Sequence, residues 1–219
     1  MFANILPKIP PMRLTFLFIL FTCLTFGQEK PIIFYNESGE KISKQDFIKT
    51  KDYRKNLDLY FENDTTQIAL LVTRKKFGQL DKTTFESLKN YLTVLTDKAI
   101  DSTQNIVINY LTAYPKKKEN RNFRSTWNVL HRDYTRKLHK IANINQFWIH
   151  STKCENLYYN YHRRLNWIED KDNLFKKLFF PYEVRYGNYI LIKPDGKFFY
   201  YLGEHSKYHI WENAEKYFK

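Results

Sequence analysis

The chain has 219 residues, a formal charge of +13 at neutral pH, 43% hydrophobic residues and only six glycines. The 192 residues that follow position 27 suit one domain with its own core and are too few for two comfortable ones. The basic balance favours anionic partners or an anionic surface, and the scarcity of glycine argues against a phosphate-binding loop.

The amino terminus has the pattern of a secretory signal. Lys8 and Arg13 precede the apolar run at residues 14–26, and Gly27 supplies the small residue of a cleavage site. The run is shorter than the ~20 residues of a membrane span, and no later segment is apolar enough to be one. We therefore expect residues 1–27 to be a signal peptide and the remainder to be a soluble periplasmic or secreted protein without a transmembrane helix.

A second interpretation of this terminus is a lipoprotein signal at residues 20–23, with Cys23 as the lipidated residue. Thr22 is larger than the residue usual before such a cysteine. With Cys23 inside the removed signal, Cys154 is the single cysteine of the mature chain, so the exported part cannot form an internal disulfide and must be stabilised by packing. Loss of the two basic residues of the signal leaves a charge of +11.

The first part of the exported chain predicts strands around one short helix. Residues 32–35 indicate a strand that ends in a turn, and Ser43 with Asp46 predicts a capped helix start. Alternating apolar residues over 57–61 indicate a second strand. The continuous apolar run at 68–72 is typical of a strand that is covered on both faces.

From there on, helix and strand signals alternate. The first is a helix that starts at a capping box of Thr83 with Glu86, followed by a strand at 106–111 and a helix over 121–141. Next come a strand at 146–150 and a helix within 167–180 that Pro181 stops. The chain ends with a hairpin of 189–192 with 198–202 and a closing helix at 210–218. The 121–141 helix has an apolar stripe, with most of its basic residues off that stripe.

This alternation argues for an α/β fold with parallel strands and an antiparallel edge from the late hairpin. The element order from residue 68 onward, and the hairpin sequence YILIKPDGKFFYYLG at 189–203, resemble the periplasmic thioredoxin-like proteins. The resemblance implies a thioredoxin-like sandwich with a central mixed sheet and helices on both faces. It divides the exported chain into an N-terminal strand and short-helix extension at 28–66 and a thioredoxin-like domain at 67–219.

The residues that carry redox chemistry in this family are missing. In the oxidoreductases, the strand matching 106–111 leads into Cys-x-x-Cys at a helix start, where the helix dipole lowers the thiol pKa. Here the junction at 114–118 reads Tyr-Pro-Lys-Lys-Lys, and the family's cis-proline is absent from the neighbourhood of 186–188. Cys154 has no second thiol to resolve a mixed disulfide, so we expect no dithiol exchange.

Other residues of chemically useful type form no recognised motif. His150, Cys154 and His162 are of zinc-ligand type, but they lack a fourth ligand and a standard finger spacing, so we expect no metal. Nucleophile elbows, Walker loops and dinucleotide fingerprints do not occur, and we expect no cofactor.

The candidate binding surface is the basic segment that follows the 106–111 strand. Its members are Lys116, Lys117, Lys118, Arg121 and Arg124. Because helix N-termini also attract anions, these side chains would reinforce one another as an anion-attracting patch. The stretch YYNYHRRLNW at 158–167 adds aromatic rings to arginines, a mixture that binds polyanions and that equally fits the core and rim of an aromatic-rich domain.

We therefore expect a binding or interaction module whose partner is an unknown envelope or extracellular protein or an anionic ligand. Export argues against nucleic acid as the natural ligand. Two alternatives stay open: an enzyme that uses Cys154 or histidines such as His131 and His139, and a polyanion-binding protein.

Overall fold

The computed structural model describes residues 30–112, 127–154, 157, 165–184 and 187–219. The strands in these ranges are β1 Ile32–Tyr35, β2 Lys41–Ile42, β3 Asn56–Glu62, β4 Gln67–Thr73, β5 Lys75–Gln79, β6 Asn105–Leu111, β7 Ile144–Ser151, β8 Trp167–Asp170, β9 Asn188–Ile192 and β10 Lys197–Tyr201. The helices are α1 Lys44–Thr50, α2 Lys82–Thr96, α3 Asp133–Ile141, α4 Leu174–Leu178 and α5 Lys207–Phe218. Within the same ranges, no helix combines the length and the apolar character that crossing a bilayer requires.

The first four strands form a mixed sheet in the order β2-β1-β4-β3, in which β1 and β4 run parallel. Side chains of β4 alternate between two cores. Ala69 and Leu71 pack with Phe47 of α1, whereas Leu70 and Val72 pack against the core of the larger sheet. The prediction of a strand covered on both faces is confirmed, because a continuous apolar run supplies both sides.

The other six strands form a second mixed sheet in the order β5-β10-β9-β6-β7-β8. The strands β6, β7 and β8 run parallel to one another. On the other side of β6, β9 is antiparallel to β6, β10 is antiparallel to β9, and β5 is antiparallel to β10. The predicted α/β class and the antiparallel β9–β10 hairpin are confirmed, but the hairpin is not the edge of the sheet, because β5 pairs with the outer side of β10. The strand β5 was not predicted. It follows β4 after the single residue Arg74, and there the chain passes from the small sheet, which contains β4, to the large sheet, which contains β5.

Helices cover both faces of the six-stranded sheet. α2, α4 and the small sheet pack on one face, which receives Ile106 and Ile108 of β6. α3 and α5 pack on the other face, which receives Val107. Successive side chains of β6 therefore point alternately into two separate apolar cores, and nearly every residue of that strand is buried.

Two local predictions are confirmed in detail. Ser43 is the N-cap of α1, and its hydroxyl accepts a hydrogen bond from the Asp46 amide. The turn between β9 and β10 contains Gly196 at φ +83, a conformation in which a side chain is strained.

The start of α2 differs from the prediction. The N-cap is Asp81, whose carboxylate accepts from the Thr84 amide at 2.9 Å, and Thr83 lies inside the helix. Asp ranks above Thr at N-cap positions, so the earlier residue starts the helix and the proposed capping box is wrong.

The single helix predicted over 121–141 is also wrong in its described part. Residues 113–126 lie outside the described residues, Asn128–Leu130 is a 3-10 turn, His131 is extended, and α3 covers only Asp133–Ile141. A tertiary hydrogen bond accounts for the interruption, because the Asn128 side chain accepts from the Lys207 amide at 2.8 Å and ties this turn to α5.

The helix predicted within 167–180 is replaced by β8 and the short α4. Trp167 and Ile168 pair with Trp148 and Ile149 of β7, so strand pairing overrides the local helical pattern. α4 ends before Pro181, as predicted.

Candidate functional site

Buried polar side chains collect at one edge of the six-stranded sheet, where β6, β7, β8 and β10 end and β9 begins. Strand register brings these ends together, since Tyr110 pairs with Asn188 and Ser151 with Asp170. We call this the carboxyl edge; its buried polar members are Thr112, Ser151, Asp170, Asn188 and His205. Ligands of open α/β sheets usually bind outside the carboxyl ends of the strands, so this edge is the candidate site.

Thr112 follows β6 directly and fastens the carboxyl edge to the segment before β9. Its hydroxyl donates to the Val184 carbonyl at 2.7 Å and accepts from the Val184 amide at 2.9 Å. Its carbonyl accepts from the Ser151 hydroxyl at 2.9 Å. Because these buried groups are all paired, the point at which the chain leaves β6 is fixed.

Asn188 continues the pairing of β6 and β9 with its side chain. Nδ2 lies 3.4 Å from both the Tyr110 carbonyl and Thr112 Oγ1, and Oδ1 accepts from the Gly203 amide at 2.9 Å. The preceding Gly187 has φ +39, and a Cβ there would lie 2.9 Å from Cη2 of Trp127. Glycine is therefore required by the backbone and by the indole that packs against it.

The Cys154 thiol points inward at the same edge. The residue is only 6% exposed, and Sγ lies 3.6 Å from the Leu111 carbonyl, to which it donates. Burial raises the pKa of the thiol to about 11. Since the thiolate is the nucleophilic form, a thiol in this environment is a poor nucleophile at neutral pH.

His205 lies in a group of aromatic rings next to the edge. Its ring meets those of Trp127, Tyr189 and Tyr201 at centroid distances of 5.3, 4.9 and 6.2 Å, and its carbonyl accepts from the Trp127 indole. Nδ1 lies 2.9 Å from the Gly203 carbonyl. Because a carbonyl can only accept, Nδ1 carries the hydrogen and Nε2 is the acceptor nitrogen.

The charge state of His205 follows from this environment. Burial lowers its pKa to about 4, so the ring is neutral at physiological pH. No hydrogen-bond partner of Nε2 occurs among the described residues. His205 is therefore a buried neutral imidazole in which one nitrogen is satisfied by the backbone.

Positive charge borders the carboxyl edge. Nη1 of Arg74 donates to the Leu202 carbonyl at 3.0 Å, and the guanidinium carbon lies 5.8 Å from the Tyr201 ring centroid. Burial, followed by the charges of Lys75 and Arg74, lowers the pKa of His209. These cations would favour an anionic group at this edge.

A buried lysine joins the amino ends of α3 and α5 nearby. The side chain of Lys207 is 7% exposed, and Nζ donates to the two carboxylate oxygens of Asp133 at 2.8 and 2.6 Å. The rings of Tyr208 and Trp211 lie 5.4 and 5.3 Å from Nζ. The hydrogen bond from Lys207 lowers the pKa of Asp133, and the contact between the two side chains holds the starts of the two helices together.

Asp170 is the buried carboxylate at the other end of the edge. It accepts from the hydroxyls of Tyr91 and Tyr110 at 2.9 Å each and from the amides of Leu174 and Lys176 at 2.9 and 3.3 Å. Burial and this carboxylate raise the pKa of both tyrosines. The network is fully paired, and it fixes α2, β6 and α4 relative to β8.

The predicted binding residues fall outside the described part of the chain. Residues 113–126 contain all of them, namely Lys116, Lys117, Lys118, Arg121 and Arg124. That segment follows Thr112 in sequence, and Thr112 lies at the carboxyl edge.

The structure also places the residues considered for other chemistry. The imidazole of His150 contacts the adjacent Ser151 carbonyl and makes no described contact with Cys154, and His162 lies outside the described residues. The described residues contain no group of three or more potential ligands that could hold a metal ion. Asp133 binds Lys207, and His139 is exposed on α3.

Sequence reasoning missed most of the polar edge. Thr112, Asn188 and His205 are single residues without a motif, and the elements that join them are distant in the sequence. A usable signal was the position of Thr112 at the end of a buried strand, since polar residues at strand ends often line α/β sites.

No protein-family model and no curated protein matches the sequence.

Proposed function

We propose that this chain is an exported thioredoxin-like protein that does not perform dithiol exchange and that binds an anionic partner at the carboxyl edge. The partner class is an envelope or extracellular protein with an acidic surface. The observation that carries the proposal is the state of Cys154, whose buried, protonated thiol donates to the last carbonyl of β6, the strand that the basic segment follows in the sequence.

Topology supports the thioredoxin-like part of the proposal. The parallel strands β6 and β7 are connected through α3, the antiparallel β9–β10 hairpin lies beside β6, and α5 closes the chain. Helices that precede and follow these strands alternate between the two faces of the sheet. This is the element order on which the resemblance rests.

A contact between Thr112 and Asn188 also supports the thioredoxin-like part of the proposal. The family's thiols would follow β6, and its cis-proline would precede β9. The corresponding neighbours here, Thr112 and Asn188, contact each other through Oγ1 and Nδ2. A binding surface at this junction would inherit the family's location while lacking the thiols.

Charge favours an anionic partner. Arg74 and Lys75 lie beside the edge, and the segment that follows Thr112 contributes three successive lysines to the sequence at 116–118. Charges of this kind raise association rates and make binding salt-dependent. The same observation supports binding of an extended polyanion as the second candidate.

The redox part is tested by insulin reduction with dithiothreitol as electron donor. We expect the purified protein to give the rate of the buffer alone, because its one buried thiol cannot cycle through an intramolecular disulfide. A rate above the buffer control that disappears in Cys154→Ser would refute this part.

The binding part is tested by charge reversal. Changing lysines 116–118 together to glutamate should lower the salt concentration at which the protein elutes from heparin and weaken capture of native envelope partners. Melting temperature serves as the check on folding. A matched control reverses the same charge on three exposed lysines of the small sheet and α1, Lys41, Lys44 and Lys49.

Equal loss of binding in the two triple variants would mean that only net charge matters, which favours the polyanion candidate. Unchanged elution and unchanged capture in the 116–118 variant would refute the proposed site.

Export is tested by the intact mass of the protein recovered from the periplasm or medium. We expect a chain that begins at Gln28. A diacylglyceryl mass on Cys23 would favour the lipoprotein interpretation, and a cytoplasmic chain that retains Met1 would refute export.

A further inference from the structure

The four outer edges of the two sheets differ in how they are protected from pairing with another chain. β2 has two residues and β8 has four, so both are short. β5 carries Lys75 and Lys76 followed by Gly78, and lysines and glycine weaken edge pairing. β3 has seven residues, Asn56–Glu62, without proline, glycine or lysine.

The outward backbone groups of β3 can be identified from its register with β4. The Asn63 amide bonds the Thr66 carbonyl at the turn, and the Arg74 amide bonds the Lys55 carbonyl at the far end. The backbone amides and carbonyls of the odd-numbered residues between these points therefore bond β4, and those of the even-numbered residues point away from β4. The outward groups of Asp58, Tyr60 and Glu62 have no hydrogen-bond partner in the described part of the chain.

The two acidic side chains of this edge repel a second copy less than isolated carboxylates would, because each binds a lysine. Asp58 binds Lys51 at 2.5 Å, and Glu62 binds Lys30 at 2.5 Å. Between them Tyr60 is 57% exposed, and the adjacent Phe61 is 42% exposed. The segment that forms the small sheet and α1 holds five of the eight large exposed apolar side chains of the described structure: Ile32, Ile48, Tyr53, Tyr60 and Phe61.

We propose that β3 pairs antiparallel with β3 of a second copy of this chain, in the register that places Leu59 opposite Leu59. On one face of the joined sheet, Leu57 then lies opposite Phe61 of the second copy. On the other face, Asp58 lies opposite Tyr60 and Asn56 opposite Glu62. Each carboxylate therefore faces a side chain that can donate a hydrogen bond.

Neighbouring registers are disfavoured by charge. A shift that places Tyr60 opposite itself brings Asp58 opposite Glu62. A shift in the other direction brings Asp58 opposite its own copy. Like charges directly opposite each other destabilise a strand pair, so the register centred on Leu59 is the one in which apolar and polar pairs both match.

The register is tested by cysteine cross-linking. Leu59 is a non-hydrogen-bonded pair in this arrangement, with Cα atoms ~4.5 Å apart, within the range that a disulfide spans. Leu59→Cys should give a covalent dimer under mild oxidation. Phe61→Cys is the matched control, because its two copies would be separated by four residues along the strand, about 13 Å.

The charge pairing is tested by two substitutions at one exposed position. Tyr60→Glu places a second carboxylate opposite Asp58, and Tyr60→Lys places an ammonium there. Sedimentation velocity of the purified protein over a wide concentration range should show a wild-type dimer. Tyr60→Glu should raise the dimer dissociation constant by roughly tenfold or more, while Tyr60→Lys should leave it unchanged or lower it.

Three outcomes would overturn the proposal. One is a wild-type protein that stays monomeric at every concentration. Another is equal weakening by Glu and Lys at position 60. The third is cross-linking of Phe61→Cys as fast as that of Leu59→Cys. Circular dichroism of each variant separates these results from loss of fold, and Tyr60 is exposed enough for both of its substitutions to be compatible with folding.

Discussion

The neutral state of His205 predicts that stability falls with acid before the carboxylates titrate. The folded-state pKa of His205 is lowered to about 4, against an ordinary value of 6.5 in the unfolded chain. The unfolded chain therefore binds the proton first, and the stability contributed by this residue is present above pH 6.5 and lost as pH falls towards 4.

The size of the effect follows from the two pKa values. Linkage gives a loss of about 2 kcal/mol between pH 7 and pH 5, and about 3 kcal/mol by pH 4. For a chain of this length, the first figure corresponds to a melting temperature lower by roughly 4–8 °C. His209 acts in the same direction, since its pKa is also lowered, so the wild-type slope exceeds that of His205 alone.

The variant that isolates this contribution is His205→Asn. The Asn amide nitrogen can replace Nδ1 as donor to the Gly203 carbonyl, while the titrating ring is removed. We expect lower stability at pH 7, because the ring contacts with Trp127 and Tyr189 are lost, and a pH dependence between 7 and 5 that is smaller by about 2 kcal/mol.

The assay is urea unfolding followed by far-UV circular dichroism at pH 7, 6 and 5. This signal is preferable to tryptophan fluorescence because the indole of Trp127 contacts the titrating ring. His139→Asn, which changes an exposed histidine of α3, is the control and should preserve the wild-type slope. Parallel pH curves for wild type and His205→Asn would refute a buried neutral His205.

Three further predictions concern single positions. At pH 8, Cys154 in the folded protein should react with a thiol reagent roughly a hundredfold more slowly than Cys154 in the unfolded chain, because its raised pKa leaves about 0.1% thiolate. Equal rates would show that the thiol is accessible. In urea unfolding, Gly187→Ala should destabilise the protein by about 1–3 kcal/mol more than Gly39→Ala, since both glycines have positive φ but only Gly187 lacks room for a Cβ. Equal losses would contradict the close approach of Gly187 to Trp127. Asp81→Ala should lower the melting temperature by roughly 2–4 °C and Thr83→Ala should barely change it; the reverse order would restore the sequence-based cap.

The sequence predicted those elements whose local pattern agrees with their tertiary role. The hairpin of β9 and β10 combines apolar strands with a glycine that the turn requires, so pattern and structure coincide. The run at 68–72 was correctly interpreted as doubly covered because one strand separates two cores. In both cases, the residues that decide the structure are neighbours in the sequence.

The misses come from contacts between distant residues. The turn at Asn128–Leu130 interrupts a helical pattern because Asn128 binds the backbone of α5, seventy-nine residues later. β8 forms because Trp167 and Ile168 pair with β7, although the segment also fits a helix. Such partners have no local signature, so a single sequence predicts the apolar stripe of a segment better than the point at which it ends.

The carboxyl edge combines fixed polar groups with neighbouring charge. Its polar groups are held in place by one another, as Thr112 is by Val184 and Asn188 by Gly203. Burial keeps the Cys154 thiol in its protonated, weakly nucleophilic form and makes the His205 ring a weak base. The Asp170 carboxylate is occupied by hydrogen bonds from Tyr91 and Tyr110. Arg74 and Lys75 add positive charge beside this edge. A rigid edge with cations around it and an inactive thiol inside it is better suited to holding an anionic partner than to covalent catalysis, which is why binding is the function proposed for it.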